Sequence, residues 1–293
     1  MSYACSTLLS YYIDYVKYDF NNKIALVTGG SSGIGLAVAI LLAQKGCNVW
    51  LLARNQDRLQ SALTQVEAAC KSQDQKCGFI AADISNIDQT NKAVMDVTRH
   101  AGAPDILINS AGEVYPVLFC EMDCSISHKL MEINYFGMVH ITRACLPAMI
   151  TRRSGYIVNI SSVYGFLAGY GYTAYCASKY AVRGFTDALR SELKPLGIGI
   201  SIVFPQNTAT PQLDYENTLK SPLMKAIDTT GTMTADAVAR AIMRGISRGQ
   251  YVIIPGAEGK FYFWLSHLLG TGIYRIMDMV VASAQKKITR VRE

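Results

Sequence analysis

The chain has 293 residues, of which 50% are hydrophobic and 17% are charged, and its formal net charge is +6. This composition supplies enough apolar surface for a folded core and excludes a disordered protein, which lacks that surface. The positive excess is small, and no long run of lysine and arginine occurs before the C-terminus, so the sequence does not favour a nucleic-acid partner.

The cysteines, the histidines and the hydropathy of the chain bear on its location. None of the eight cysteines forms a C-x-x-C pair, and the four histidines lack ligand spacing, so we expect reduced thiols and no metal site. The first residues carry no basic segment of a secretory signal, and no stretch reaches about 18 consecutive apolar residues. We therefore expect a cytoplasmic protein without a spanning helix.

Short apolar segments alternate with helical patterns along most of the chain. The predicted strands are residues 24–28, 48–53, 78–82, 105–109, 156–161, 199–204 and 251–254. The predicted helices are residues 35–45, 56–71, 87–100, 125–150, 173–196 and 235–247. Several strands are apolar throughout, which is typical of strands that are covered on both faces.

This alternation predicts an α/β fold in which a single domain forms a doubly wound parallel sheet of the Rossmann type, with helices on both faces. No proline- or serine-rich linker divides the pattern, and the sequence has no internal repeat. We expect the domain at residues 22–256, an N-terminal extension at 1–21 and an apolar and basic tail at 257–293.

A glycine-rich turn, Thr28-Gly-Gly-Ser-Ser-Gly-Ile-Gly35, joins the first strand to the first helix. Glycine allows a sharp turn and a close approach of the backbone to a ligand, and the start of a helix attracts a pyrophosphate. A tight turn without a ligand is the alternative, but the strand before it and the helix after it favour a dinucleotide site. The candidate contacts are Gly29, Ser31, Ser32, Gly33, Ile34 and Gly35.

The end of the second strand, Ala53-Arg54-Asn55, bears on the choice of dinucleotide. An acidic side chain at this place would hold a ribose 2′-hydroxyl, whereas an arginine suits a 2′-phosphate. Because no carboxylate is present here, Arg54 predicts NADP(H). Arg58 lies one helical turn further along and could assist, although ordinary surface charge is the simpler interpretation for it.

Four residues could move a proton or hold a carbonyl group. Tyr175 and Lys179 are four positions apart and share a helix face, and a nearby ammonium lowers the pKa of a tyrosine. Such a tyrosine is a plausible general acid or base. Ser162 follows the fifth strand, at the edge where parallel sheets bind ligands. Asn134 lies on the apolar stripe of a long helix, where a structural amide and a catalytic one both remain possible.

Together these motifs resemble the short-chain dehydrogenase/reductase family. The resemblance rests on residues 28–35, Asn109-Ser-Ala-Gly112, Asn134, Ser162 and Tyr175-Cys-Ala-Ser-Lys179. It implies that Tyr175 is the general acid and that Lys179 lowers its pKa and binds the nicotinamide ribose. It also implies that Ser162 bonds the substrate carbonyl. Asn134 would hold a water that links Lys179 to solvent.

The same resemblance implies further contacts with the cofactor. Those along the cleft and near the adenine would be Asp83, Ile84, Asn109, Ala111 and Gly112. Those near the nicotinamide would be Tyr175, Lys179, Pro205, Thr208 and Thr210. The family's usual Pro-Gly after the sixth strand reads Pro205-Gln206 here, which makes that turn less permissive.

A narrower resemblance, to the 3-ketodihydrosphingosine reductases, covers residues 28–55, 169–175 and 208–211. It implies that a long-chain lipid 3-ketone is reduced with NADPH at a membrane. A 3-oxoacyl thioester reductase and a hydroxysteroid dehydrogenase are alternatives, and a non-catalytic NADP-binding regulator is a remote one. The family forms homodimers and homotetramers through the helices around Asn134 and Tyr175, so we expect one of these assemblies.

The tail at 257–293 combines apolar and aromatic residues with a basic end. Its last cations are Lys286, Lys287, Arg290 and Arg292. This pattern suits a helix in a bilayer interface, and a tail docked on the domain or on a partner subunit is the equal alternative. In the first case, the cytoplasmic protein would contact a membrane surface peripherally.

Overall fold

The structure is a computed structural model that describes residues 18–292, with side chains described for residues 18–289. Most of the predicted N-terminal extension therefore lies outside the described residues.

The strands of the main sheet are β1 (Ile24–Thr28), β2 (Asn48–Ala53), β3 (Gly78–Ala81), β4 (Ile106–Asn109), β5 (Gly155–Ile160) and β6 (Ile198–Val203). A short pair follows, β7 (Thr208–Ala209) and β8 (Met233–Thr234), and β9 (Val252–Ile253) completes the main sheet.

Helices connect these strands and cover the sheet. Those before the fifth strand are α1 (Gly33–Gln44), α2 (Gln56–Ala68), α3 (Ile87–Ala101), α4 (Cys124–Met131) and α5 (Gly137–Arg152). Those that follow are α6 (Thr173–Leu193), α7 (Pro211–Leu219), α8 (Pro222–Ile227), α9 (Ala235–Ser247), α10 (Ala257–Leu269) and α11 (Ile273–Arg292). Helices α1, α2 and α9 pack on one face of the sheet, and α3, α5 and α6 pack on the other.

The main sheet has the order β3-β2-β1-β4-β5-β6-β9, and every pair of neighbours is parallel. The predicted doubly wound parallel sheet is confirmed. All six residues of β5 are buried because helices cover both faces, and each apolar side chain buried in this way contributes about 1.5–3 kcal/mol. The winding reverses between β1 and β4, and ligands of such sheets bind at the carboxyl ends of the strands there.

The structure differs from the predicted elements in two places, apart from shifts of up to three residues at element ends. The helix predicted at 125–150 is divided into α4 and α5 by a π-helical turn, Glu132–Phe136. The segment between β6 and α9, for which no helix or strand was predicted, contains α7, α8 and the β7–β8 pair. We refer to α7 and α8 together with the residue that ends α8, residues 211–228, as the lid.

The predicted tail forms α10 and α11, and α10 packs on the domain. The Phe263 ring lies 5.0 Å from that of Phe166 and 6.1 Å from that of Phe204, measured between centroids. The opposite face of α10 leaves Trp264 and Leu268 60% and 63% exposed. Helix α11 contacts α8 of the lid. Among residues 18–292, no helix is both long and apolar enough to cross a membrane.

Candidate active site

The glycine-rich turn lies at the reversal of the sheet and packs closely against neighbouring loops. Gly29 has a φ of +66°, and a Cβ on it would lie 2.8 Å from the backbone of Ala111. Gly33 has a φ of +56°, and a Cβ there would lie 2.9 Å from Cγ2 of Thr210. A Cβ on Gly35 would overlap the carbonyl oxygen of Gly29. The three glycines are therefore required by the turn itself.

The start of α1 is suited to an anion. The N–H groups in the first turn of a helix have no partner within the helix. Asn55 and Asn86 cap α2 and α3 with their side chains, whereas Ser32 makes no such bond at the start of α1. The first turn of α1, which includes Ile34, also has no acidic residue. Together with Ser31 in the preceding turn, these open donors fit the pyrophosphate of a dinucleotide.

Buried polar groups line the floor of the cleft. Thr28 Oγ1 accepts hydrogen bonds from the backbone of Ser110 and Ala111, at 3.1 and 3.2 Å, and so joins β1 to the loop after β4. Asn109 Nδ2 donates to Asn159 Oδ1 at 2.8 Å. Within the described part of the chain, the buried Asn109 Oδ1 has no hydrogen-bond partner. A buried acceptor of this kind is expected to find a donor, which a bound cofactor can supply.

Arg54 lies at the end of β2 as predicted, but its guanidinium is already paired. Its Nη2 is 2.6 Å from Glu113 Oε1, and Lys129 Nζ is 2.8 Å from Glu113 Oε2. Burial alone would raise the pKa of Glu113, but the hydrogen bonds from Lys129 and Arg54 outweigh it and lower that pKa. Arg58 is different: its backbone N–H donates to Asn55 Oδ1 at 2.8 Å, and within residues 18–289 its guanidinium has no ion-pair partner.

The residues predicted near the adenine follow β3. The Asp83 carboxylate accepts hydrogen bonds from the N–H and the hydroxyl of Ser85, at 3.0 and 2.8 Å. The Ile84 side chain packs into the core against Gly137. The Ile84 carbonyl oxygen accepts from Thr90 Oγ1 at 3.2 Å and lies 3.1 Å from His140 Nδ1, so the backbone N–H is the group of Ile84 that is left for a ligand.

Tyr175 and Lys179 of α6 lie beside Ser162, as the sequence predicts. The two α6 residues are only 8% and 5% exposed. Lys179 Nζ lies 5.6 Å from the centroid of the Tyr175 ring and donates to the carbonyl oxygen of Ile160 at 3.1 Å. Ser162 Oγ accepts from the N–H of Tyr164 at 3.1 Å, and it lies close enough to Tyr175 to act on the pKa of that phenol. A hydroxyl pair and an ammonium thus meet at the carboxyl end of β5.

The pKa values in this group differ from the sequence-based expectation. Burial raises the pKa of Tyr175, the charge of Glu216 acts in the same direction, and the hydrogen bond from Ser162 opposes them. Burial lowers the pKa of Lys179 to about 8. The expected lowering of the Tyr175 pKa by Lys179 is not seen, since burial dominates for both groups and disfavours both charged forms. Tyr175 is therefore protonated at neutral pH.

Asn134 lies in the π-helical turn, and both polar atoms of its amide make structural hydrogen bonds, which leaves Oδ1 with one further lone pair. Its Oδ1 accepts from the Glu113 N–H at 2.7 Å, and its Nδ2 donates to the Glu113 carbonyl and to Ser178 Oγ, both at 2.9 Å. A Cβ on Gly112 would lie 3.1 Å from Asn134 Oδ1 and 3.5 Å from Lys179 Nζ. The amide thus holds the loop after β4 and also approaches Lys179 across Gly112.

The loop after β6 closes over the glycine-rich turn. The Pro205 carbonyl accepts from the Val163 N–H at 3.1 Å, and Thr208 Oγ1 donates to the Gln206 carbonyl at 2.8 Å. Thr210 caps α7 by accepting from the Leu213 N–H at 3.3 Å. The glutamine that replaces the usual glycine has a structural role in this chain. Its Nε2 donates to the Gly231 carbonyl and to Glu258, and its Oε1 accepts from the N–H of Gly259.

The lid contributes a cluster of charged residues that sequence reasoning missed. Glu216 Oε1 accepts from the Tyr172 hydroxyl at 2.6 Å and lies 3.1 Å from Lys220 Nζ. Lys220 Nζ also lies 2.6 Å from Asp228 Oδ2. The only signal in the sequence is the spacing of Glu216 and Lys220, which is more often a solvated pair on a helix surface.

The comparison with known families agrees with this geometry. A sequence model of the family described as short chain dehydrogenase matches residues 23–220. The chain belongs to this family, as its motifs indicate, and it is an oxidoreductase that uses a nicotinamide cofactor.

Individual relatives are more specific. The chain is 36% identical over 236 residues to a 3-ketodihydrosphingosine reductase of Mus musculus, with 80% of this chain and 71% of the relative covered. A 3-ketodihydrosphingosine reductase of Dictyostelium discoideum is 34% identical over 280 residues, with 90% and 84% covered.

Two solved structures are similar in fold. A short-chain dehydrogenase from Sphingobium yanoikuyae in complex with NADPH has a TM-score of 0.73 at 25% identity, with 86% of this chain and 95% of that chain covered. A short chain dehydrogenase/reductase from Burkholderia phymatum in complex with NAD has a TM-score of 0.77 at 24% identity, with the same coverage of 86% and 95%.

Proposed function

We propose that this protein reduces a long-chain lipid 3-ketone, such as 3-ketodihydrosphingosine, to the secondary alcohol with NADPH. The observation that carries the proposal is the buried group of Ser162, Tyr175 and Lys179 at the carboxyl end of β5. The two relatives described above supply the substrate class, since both are named for this ketone.

In the proposed reaction, Tyr175 is the general acid. When bound, the nicotinamide supplies a hydride to the carbonyl carbon. The protonated Tyr175 hydroxyl then gives its proton to the carbonyl oxygen, while Ser162 Oγ donates a hydrogen bond to the charge that develops there. Lys179, whose pKa lies near 8, returns a proton to Tyr175. Asn134 completes the relay toward solvent.

We assign the cofactor to the cleft between β1 and β4. The open donors at the start of α1 would hold the pyrophosphate, and Lys179 would bind the nicotinamide ribose. Arg54 favours NADPH because it would pair with the 2′-phosphate after leaving Glu113. After that exchange the Glu113 carboxylate still has a cationic partner, since Lys129 remains bound to its Oε2.

We infer that the tail brings the enzyme to a membrane surface and that the protein is otherwise cytoplasmic. A substrate with a long alkyl chain partitions into membranes, and the tail exposes Trp264, Leu268 and Met279 by 60% or more. The proposed assembly is a homodimer or homotetramer formed through the helices around Asn134 and Tyr175. The domain at 22–256 remains the proposed catalytic unit, with α10 docked on it.

The test is NADPH oxidation with 3-ketodihydrosphingosine, an acetoacetyl thioester and a 3-ketosteroid in parallel. We expect turnover with the first. Tyr175→Phe should abolish it while NADPH still binds, and Tyr180→Phe, also on α6 but 38% exposed, should behave as wild type. Turnover of only the thioester or only the steroid would replace the substrate assignment, and binding of NADPH without any turnover would indicate a regulator.

A further inference from the structure

The charged cluster of the lid carries one negative charge in excess. It contains two carboxylates, Glu216 and Asp228, but a single cation, Lys220. Burial alone would lower the pKa of Lys220, yet its bonds with Asp228 and Glu216 outweigh burial and raise that pKa, so Lys220 is charged at neutral pH. Lys220 lies closer to Asp228, at 2.6 Å, than to Glu216, at 3.1 Å. Glu216 is therefore the carboxylate that is less completely neutralised.

One oxygen of Glu216 is available to a ligand. Tyr172 and Lys220 both bind Oε1, and within residues 18–289 Oε2 has no hydrogen-bond partner. The whole residue is only 9% exposed. The Glu216 side chain is 12% exposed and Oε2 is not a fully buried atom, so a ligand can reach it. A carboxylate oxygen placed in this way is an acceptor for a cation with N–H donors.

Glu216 is linked to the proposed general acid through Tyr172. Tyr172, which donates to Glu216, has its ring 6.3 Å from that of Tyr175, measured between centroids. The negative charge of Glu216 is also near enough to raise the pKa of Tyr175. Glu216 is thus separated from Tyr175, which would hold the ketone, by a single aromatic side chain.

We propose that Glu216 recognises a protonated amine on the carbon next to the ketone, so that this site selects α-amino ketones. The inference rests on the proposed function, because 3-ketodihydrosphingosine carries its amine at that position. The ammonium would donate to Oε2 and supply the positive charge that the cluster lacks. Acyl thioesters and ketosteroids carry no such cation, so Glu216 also separates this substrate class from the alternatives.

The experiment compares 3-ketodihydrosphingosine with 1-hydroxyoctadecan-3-one, which has hydrogen in place of the amine. Wild-type enzyme should prefer the amino ketone. Glu216→Gln should lower kcat/KM for the amino ketone by roughly ten- to a hundredfold, chiefly through KM, which is the loss expected for one charge-assisted hydrogen bond. The same variant should lose less activity on the amine-free ketone, so that the difference between the two losses measures the contact with the amine, and retained NADPH binding shows that the variant is folded.

Two further variants complete the design. Asp214→Asn removes an exposed carboxylate from the same helix and should leave both substrates unaffected. Glu216→Asp keeps the charge with a shorter reach and should retain part of the preference for the amine, and it takes the place of Glu216→Gln if that variant does not fold. NADPH affinity, measured by fluorescence, should be the same in all of them.

The outcomes separate this inference from the proposed function. Equal losses on both ketones in Glu216→Gln, or no preference for the amine in the wild type, would overturn the role of Glu216 and leave the reductase assignment intact. Failure of the wild type to reduce either ketone, with turnover of the acetoacetyl thioester, would overturn both.

Discussion

The burial of Tyr175 and Lys179 decides which protons the site can use. Burial disfavours the charged form of each group, so it raises the pKa of the phenol and lowers that of the ammonium. A protonated tyrosine suits a reductase, which must give a proton to the product. A lysine whose pKa lies near 8 exchanges its proton readily at neutral pH, as a relay requires.

A pH dependence follows from the lowered pKa of Lys179. Because the ammonium form returns the proton to Tyr175, we expect ketone reduction to slow as the pH rises through about 8. Tyr175 itself should stay protonated across this range, since burial raises its pKa. The measurement is the pH profile of kcat. Lys179→Arg, which keeps its charge, should lack the inflection, and a flat wild-type profile from pH 7 to 10 would contradict the relay.

The charge at the end of β2 predicts the choice of cofactor. Arg54→Ala should weaken NADPH binding and leave NADH binding nearly unchanged, because only NADPH carries the 2′-phosphate. One charged hydrogen bond is worth roughly ten- to a hundredfold in affinity, and the 55% exposure of the Arg54 side chain places the effect toward the lower end. Fluorescence titration with both cofactors measures it. An equal loss for the two would remove Arg54 from the phosphate site.

At the scale of elements, the sequence predicts best where local pattern and burial agree. β1 and β2 have the bounds predicted for them, since each contains a continuous apolar run. The π-helical turn that interrupts the helix predicted at 125–150 was not predicted, because hydrophobic spacing does not reveal it. Its Asn134 bonds to backbone 21 residues away. The lid was missed because α7 and α8 have only nine and six residues, which is too short for a helical period to show in the sequence.

The same distinction applies to the candidate site. Its motif residues come from turns and helix faces whose spacing is visible in the sequence. The lid cluster instead joins α7 to Tyr172 and Asp228, and the Tyr172–Glu216 contact spans 44 residues. No local pattern encodes such a contact.

The buried lysine of the lid should be important for stability. Lys220 has a side chain that is only 2% exposed, and its removal leaves two carboxylates without a cation. Lys220→Met should therefore lower the free energy of unfolding by about 3–5 kcal/mol, as expected when one partner of a buried ion pair is lost.

Urea denaturation compares the stability lost in Lys220→Met with the stability lost when an ion pair on the surface is broken. Arg240 and Asp236 of α9 also form an ion pair, but each side chain is 53% exposed. Arg240→Ala should cost less than about 1 kcal/mol. Similar losses in the two variants would mean that the lid cluster contributes no more than a solvated pair.

At the scale of the whole molecule, the tail is partly structural and partly exposed. The Phe263 ring packs against Phe166 and Phe204, and Gln206 binds the first turn of α10. The packed face of α10 thus supports docking of the tail on the domain, and the exposed face of α10 supports contact with a membrane. Deletion of residues 257–293 would open this packing, so substitution of exposed side chains is the cleaner test of membrane contact.

We expect the protein to bind anionic liposomes through the exposed side of the tail. Apolar side chains would enter the interface, and each basic residue near an anionic leaflet contributes about 1 kcal/mol, so binding should weaken with salt. Combined serine substitutions at Trp264, Leu268 and Met279 should release the protein in a sedimentation assay while a short soluble ketone is still reduced. Met95→Ser, at a residue 62% exposed on α3, is the matched control and should bind as wild type does. Undiminished binding by the triple variant would show that the tail does not form the membrane contact.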